Sequence, residues 1–208
     1  MLWAMDNEQK TKRLLTKLRA VFKDGYRPAR GFEPYNEQLK MGLQISDFVN
    51  CFGHTLNLRN AQLYAYQILP DLLYSNFPSI DRVSNGEAAH YFLDFLREIG
   101  LKVQPCDPGE PINDFKSWKI AMYYDNGVLN GRDFHFLLHE SPQLWSSKVG
   151  FTPYVEHIVS TTPPTEYHPE SVPESPIFYE LHDTYKITNP NADPNNRYVQ
   201  NYHPDRLI

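Results

Sequence analysis

Residues 131–150 read GRDFHFLLHESPQLWSSKVG, and the fold turns on how this stretch is read. Phe134, Phe136 and Leu138 alternate with Asp133, His135 and Leu137, the period of two of a β-strand. Glu140, Ser141, Pro142 and Gln143 break the pattern with turn residues, and Leu144 to Val149 run back. The stretch therefore predicts a β-hairpin. A three-residue loop of Glu140, Ser141 and Pro142 sets Ser147 directly across from His135, with Cβ atoms about 4.5–5.5 Å apart. His135 is held mid-strand between two phenylalanines, the fixed setting a working imidazole needs. A lone strand histidine is ordinarily structural, so a catalytic reading requires a partner, and Asn50-Cys51 supplies one.

Upstream of the hairpin, Trp118 to Tyr124 (WKIAMYY) is nearly continuously apolar, which suits a central strand, and Leu101 to Val103 predicts a shorter one. Asn126-Gly127 signals a turn between strand and hairpin. Ser84 and Glu87 form a capping box. They open a helix with Ala88, Tyr91, Phe92, Phe95, Leu96 and Ile99 inward, closed by Gly100. Residues 61–69 read as helical up to Pro70. Residues 6–24 predict an amphipathic helix with Leu14, Leu15, Leu18, Val21 and Phe22 on its stripe and Gly25 as its stop. Its basic residues read as a solvated outer face.

Ser46, Asp47 and Asn50 are helix-capping residues just ahead of Cys51, so a helix is expected to start there. A thiol at that point feels the partial positive charge of the helix end, which favours the thiolate. His54, one turn on, is assigned a packing or rim role. Cys106 stands in a Pro-Cys-Asp-Pro loop and is expected to be a free, dispensable thiol. His135 and His139 are four apart, which on a strand means about 13 Å, too far to share one metal ion. No metal and no cofactor is expected.

The 208 residues suffice for one sizeable domain, with 41% hydrophobic and 14% aromatic residues. A net charge of −5 gives no reason to expect nucleic acid as the main partner. No apolar run reaches the roughly 20 residues of a membrane span. The first residues lack the charge order of a signal peptide, and two cysteines are too few for a disulfide framework. A cytoplasmic location is expected, with non-classical export as the alternative route. After Gly150 the composition shifts: nine of the 17 prolines lie between Pro153 and Pro204. This predicts an extended tail lying over the domain, with a strand at Ile177 to Leu181.

The motifs, taken in order, carry a resemblance. Asn50-Cys51-Phe52, then Asp133-Phe134-His135-Phe136, then Trp145-Ser146-Ser147-Lys148 with Gly150, and finally Ile187-Thr188-Asn189-Pro190 resemble bacterial papain-like cysteine peptidases and amidases of the NlpC-like and CHAP-like kind. The match spans roughly residues 44–195. The resemblance implies an α+β papain-like core with an antiparallel sheet, a catalytic helix and an added N-terminal helix. It implies Cys51 as nucleophile, His135 as general base, and Asn50 or the Cys51 N–H as oxyanion donor. Where those relatives have Trp-Ser-His-Lys, this chain has Ser147, so the residue that orients the imidazole is Ser147 or Asp133.

The expectation is thus a single domain over residues 1–208, divided into an N-terminal helix (6–24), a catalytic core (44–150) and a proline-rich covering tail (151–208). The expected activity is thiol-dependent hydrolysis or acyl transfer at an amide, on a peptide or peptidoglycan stem. The alternatives are a papain-like binding module without turnover and an effector-type amidase acting on a host protein.

Overall fold

The computed structural model describes residues 15–16, 18–27, 51–56, 85–125, 134–148, 155–169 and 178–195. They form an α+β arrangement of helices and one antiparallel sheet. The strands are β1 Lys102–Pro105, β2 Ser117–Asp125, β3 Phe134–Ser141, β4 Leu144–Lys148, β5 Val155–Val159, β6 Glu166–Tyr167 and β7 Tyr179–Thr188. Their order is β1-β7-β2-β3-β4-β5, with β6 beside β7. β2 is central and buried along its whole length, which is why its sequence is apolar on both faces.

The sheet separates two buried clusters. One face carries Trp118, Ile120, Met122 and Tyr124 of β2 and Phe134, Phe136 and Leu138 of β3. Against it pack the N-terminal helix (Leu18, Phe22), the cysteine helix Cys51–Thr55 (Cys51, Phe52) and the long helix Asn85–Glu98 (Phe92, Phe95, Leu96). Phe52 is the hinge of this packing, with its ring 5.1 Å from Phe136 and 5.2 Å from Phe92. The other face carries Ala121, Tyr123, Leu137 and Trp145, covered by Tyr167 and Tyr179.

Both helix ends follow their glycines. The Leu101 N–H bonds the Leu96 carbonyl (3.1 Å) around Gly100, and the Tyr26 N–H bonds the Val21 carbonyl (3.2 Å) around Gly25. Each glycine has the positive φ this termination requires. At Gly25 a side chain would also meet Asp193, whose Cβ stands 3.0 Å from where a Cβ would lie.

Two expectations are corrected. The described residues after Gly150 are more than a covering layer, because β5 extends the sheet beside β4 and β7 is inserted between β1 and β2. Its ten residues, YELHDTYKIT, contain no proline; the prolines flank it at 176 and 190. The expected strand at 177–181 shares only 179–181 with it. Beyond β7, buried Asn189 donates its Nδ2 to the Phe22 (2.8 Å) and Tyr26 (2.5 Å) carbonyls, closing the N-terminal helix. The second correction is the hairpin register. The turn is Pro142-Gln143, Ser141 pairs with Leu144, and a bulge leaves Glu140 in the strand and buried. Ser147 consequently stands opposite Leu137, two residues from the expected pairing. The expected helix at 61–69, the turn at 126–127 and the side chains of Ser84 and Glu87 lie outside the described residues.

Candidate functional site

Cys51 does open a helix, buried at 6% exposure, and this helix packs on β3 and β4. Cys51 belongs to the buried cluster of the helix-covered face, with Phe52, Phe134 and Phe136. His135 points to the opposite face. Its ring lies 4.9 Å from Tyr167, nearly parallel, and 5.1 Å from Tyr179. The expected Cys51–His135 dyad is therefore corrected: the sheet itself stands between the two side chains. The cause is the strand's own period. The helix covers Phe134, Phe136 and Leu138, and residues between them necessarily face away. Asn50 and Asp133 lie outside the described residues.

His135 and Ser147 do meet, with His135 Nε2 and Ser147 Oγ 2.8 Å apart. A register error of two residues preserves the face, so the pair touches diagonally instead of directly. Ser147 Oγ lies 2.6 Å from Tyr167 Oη, and the Tyr167 hydroxyl donates to Glu156. Since the Tyr167 proton goes to the carboxylate, Ser147 donates to Tyr167 and His135 Nε2–H donates to Ser147. Burial holds the His135 pKa down at about 3, so the ring stays neutral. A base so weak is poorly matched to proton abstraction near neutral pH.

A second chain occupies the helix-covered face. His54 Nε2 lies 2.8 Å from Ser146 Oγ, and Ser146 donates to Glu140 Oε1 at 2.7 Å. With its one proton committed to Glu140, Ser146 accepts from His54 Nε2–H. Nδ1 is then the basic nitrogen of His54. His54, Ser146 and Glu140 are all buried. His54 is one helical turn after Cys51, and residues so spaced have Cβ atoms about 5–6 Å apart.

His54, Ser146 and Glu140 were not assigned to a site from sequence. The spacing of His54 from Cys51 was visible, and so was the face shared by Glu140 with Phe134, Phe136 and Leu138. The bulge that turns Glu140 inward was not. Tyr167 and Glu156 join the His135 chain through strands that composition had hidden in the tail.

Cys106 is a free, half-buried thiol whose pKa is raised by burial. Among the described residues, no group of three or more His, Cys, Asp or Glu side chains is placed to hold a metal ion. No described helix is long and apolar enough to cross a membrane. The site and sheet thus define an α+β protein with a buried histidine–serine chain on each face of one antiparallel sheet. No family model, no curated protein and no solved structure matches the chain.

Proposed function

We propose that the chain is a papain-like thiol hydrolase or acyl transferase acting at an amide, with Cys51 as nucleophile and His54, in place of His135, as general base. The observation that carries this reading is the His54–Ser146–Glu140 chain one turn from the thiol. A thiol needs an adjacent base, and a base works best when a third group fixes its tautomer. Glu140 and Ser146 supply that fixing by holding Nε2–H. His54 Nδ1 takes the Cys51 proton, and the thiolate attacks the amide carbonyl. The leaving amine then takes that proton, leaving an acyl-enzyme. Water or an acceptor amine, deprotonated by His54, attacks the thioester and restores the thiol. A peptide or peptidoglycan stem as substrate rests on the resemblance of the Asn-Cys-aromatic and Asp-aromatic-His-aromatic motifs.

A second reading is favoured by burial. Cys51 is 6% exposed and His54 fully buried, so a covered site that never opens is a binding module without turnover. Iodoacetamide labelling near neutral pH, mapped by peptide mass spectrometry, separates the readings. The hydrolase reading expects fast labelling at Cys51 that His54→Asn slows at least about tenfold and His135→Asn leaves nearly unchanged. Labelling of Cys51 no faster than a free thiol supports the module. Dependence on His135 instead of His54 contradicts the proposed base.

A further inference from the structure

The cysteine helix packs on β3 and β4, and β5 lies one strand further out. Along β5, Glu156 and Ile158 belong to the face of Tyr167 and Trp145. Val155, His157 and Val159 alternate with them and therefore share the face of the cysteine helix. His157 and Val159 are exposed, Val159 at 81%. Cys51, His54, Ser146 and Glu140 are all buried. Among the described residues, the cover over the thiol and its base thus stops at His157.

Register sets His157 beside that base. It pairs with Ser146, the hydroxyl that holds His54 Nε2–H. The Ser160 N–H bonds the Gln143 carbonyl (3.0 Å), so by alternation Ile158 and Glu156 also direct their backbone groups toward β4. His157 and Ser146 are then a non-hydrogen-bonded pair, the kind with Cα atoms about 4.5 Å apart and side chains closest. His157 is the exposed side chain next to the Ser146–His54 contact. Partial burial holds its pKa below the usual histidine value, so the ring is neutral at neutral pH. A neutral imidazole carries one N–H donor and one nitrogen acceptor, which suits an amide and gives no preference for an anion. Val159, two residues on, adds apolar surface on the same side.

We propose that His157 is a substrate-binding residue of the thiol site, hydrogen-bonding a backbone amide of an extended peptide whose apolar side chain lies against Val159. The substrate class is then a peptide with an apolar residue near the scissile bond, in preference to an acidic one. This rests on the hydrolase reading above. His157 positions the peptide and takes no proton in the reaction, which stays with His54.

Inactivation of the full chain by acetyl-Ala-Leu chloromethyl ketone and by iodoacetamide tests this, with adducts mapped to Cys51. In both, the thiolate displaces a halide and a C–S bond forms, but only the peptide reagent is long enough to rest on β5. His157→Ala should raise the half-saturating concentration of the peptide reagent about five- to tenfold, the worth of one hydrogen bond, and leave its maximal rate unchanged. The same variant should leave the iodoacetamide rate within about twofold. His157→Gln, which keeps a donor and an acceptor, should restore most of the binding. Val159→Asp, at an exposed position where folding is not at stake, should cut the advantage of the leucine reagent over acetyl-Ala-Asp chloromethyl ketone about tenfold. An unaltered half-saturating concentration in His157→Ala would overturn this inference and leave the hydrolase reading standing. A fall in the maximal rate or in iodoacetamide labelling would also overturn it, because His157 would then support the base. Slow iodoacetamide labelling of Cys51 in the unaltered chain would remove the hydrolase reading and this inference with it.

Discussion

On the helix-covered face, Ser146 sits between His54 and Glu140. On the other face its neighbour Ser147 sits between His135 and Tyr167, with Glu156 beyond. Adjacent residues of one strand point to opposite faces, so one dipeptide serves both chains. Each chain runs from an imidazole N–H to a carboxylate, through one hydroxyl from His54 and through two from His135. What differs is the company. His54 shares a helix with Cys51, whereas His135 is enclosed by Tyr167 and Tyr179, with no cysteine in that cluster. A satisfied polar chain under a sheet is therefore not by itself a catalytic arrangement; the nucleophile beside it makes the difference.

The largest expected effect sharpens the contrast in packing. Phe136→Ala should cost about 3–5 kcal/mol, because it empties the contact with Phe52 and Phe92 at once. The same variant should loosen the cysteine helix and change the alkylation rate of Cys51. Leu137→Ala, the next residue on the other face, should cost about 2–5 kcal/mol and leave that rate alone. Urea midpoints and labelling rates on the two variants check both halves. Equal effects on Cys51 would break the assignment of faces.

The next prediction separates the histidines by pH. His135 titrates near 6.5 when unfolded and at about 3 when folded. Between those values the unfolded chain binds the additional proton, so stability falls as pH falls through that window. The slope from this group approaches about 1.4 kcal/mol per pH unit. His135→Gln, which retains an N–H for Ser147, should remove that contribution and flatten the decline measured by urea unfolding down to about pH 4. An unaltered decline would mean that His135 is not the buried neutral group described above.

Much of this was legible in the sequence. The hairpin at 134–148, the central apolar strand and the two glycine-terminated helices follow from period and punctuation. The His135–Ser147 contact was legible as well, because face depends only on the parity of the register. The face on which the helix would lie was not read. Phe52 is the apolar residue beside Cys51, and it seeks the phenylalanine side of β3, which carries Cys51 away from His135. Proline content averaged over the tail concealed β7, although its ten residues are free of proline. Glu140 passed for a turn residue because a bulge is a tertiary choice with no clear local signal. Asn189 belonged to a motif of the resemblance, yet its observed role is to close the N-terminal helix, a contact made across 163 residues of chain.

The adjacent serines offer the most direct test, since both substitutions are small and neighbouring. The rate of Cys51 alkylation by iodoacetamide at neutral pH would be measured in Ser146→Ala and Ser147→Ala, with the adduct mapped to distinguish Cys51 from Cys106. Ser146→Ala should slow labelling about five- to tenfold, the worth of one hydrogen bond that orients the base. Ser147→Ala should leave the rate within about twofold, since its chain lies across the sheet from the thiol. Slowing in Ser147→Ala with none in Ser146→Ala would contradict the account and return the role of base to His135.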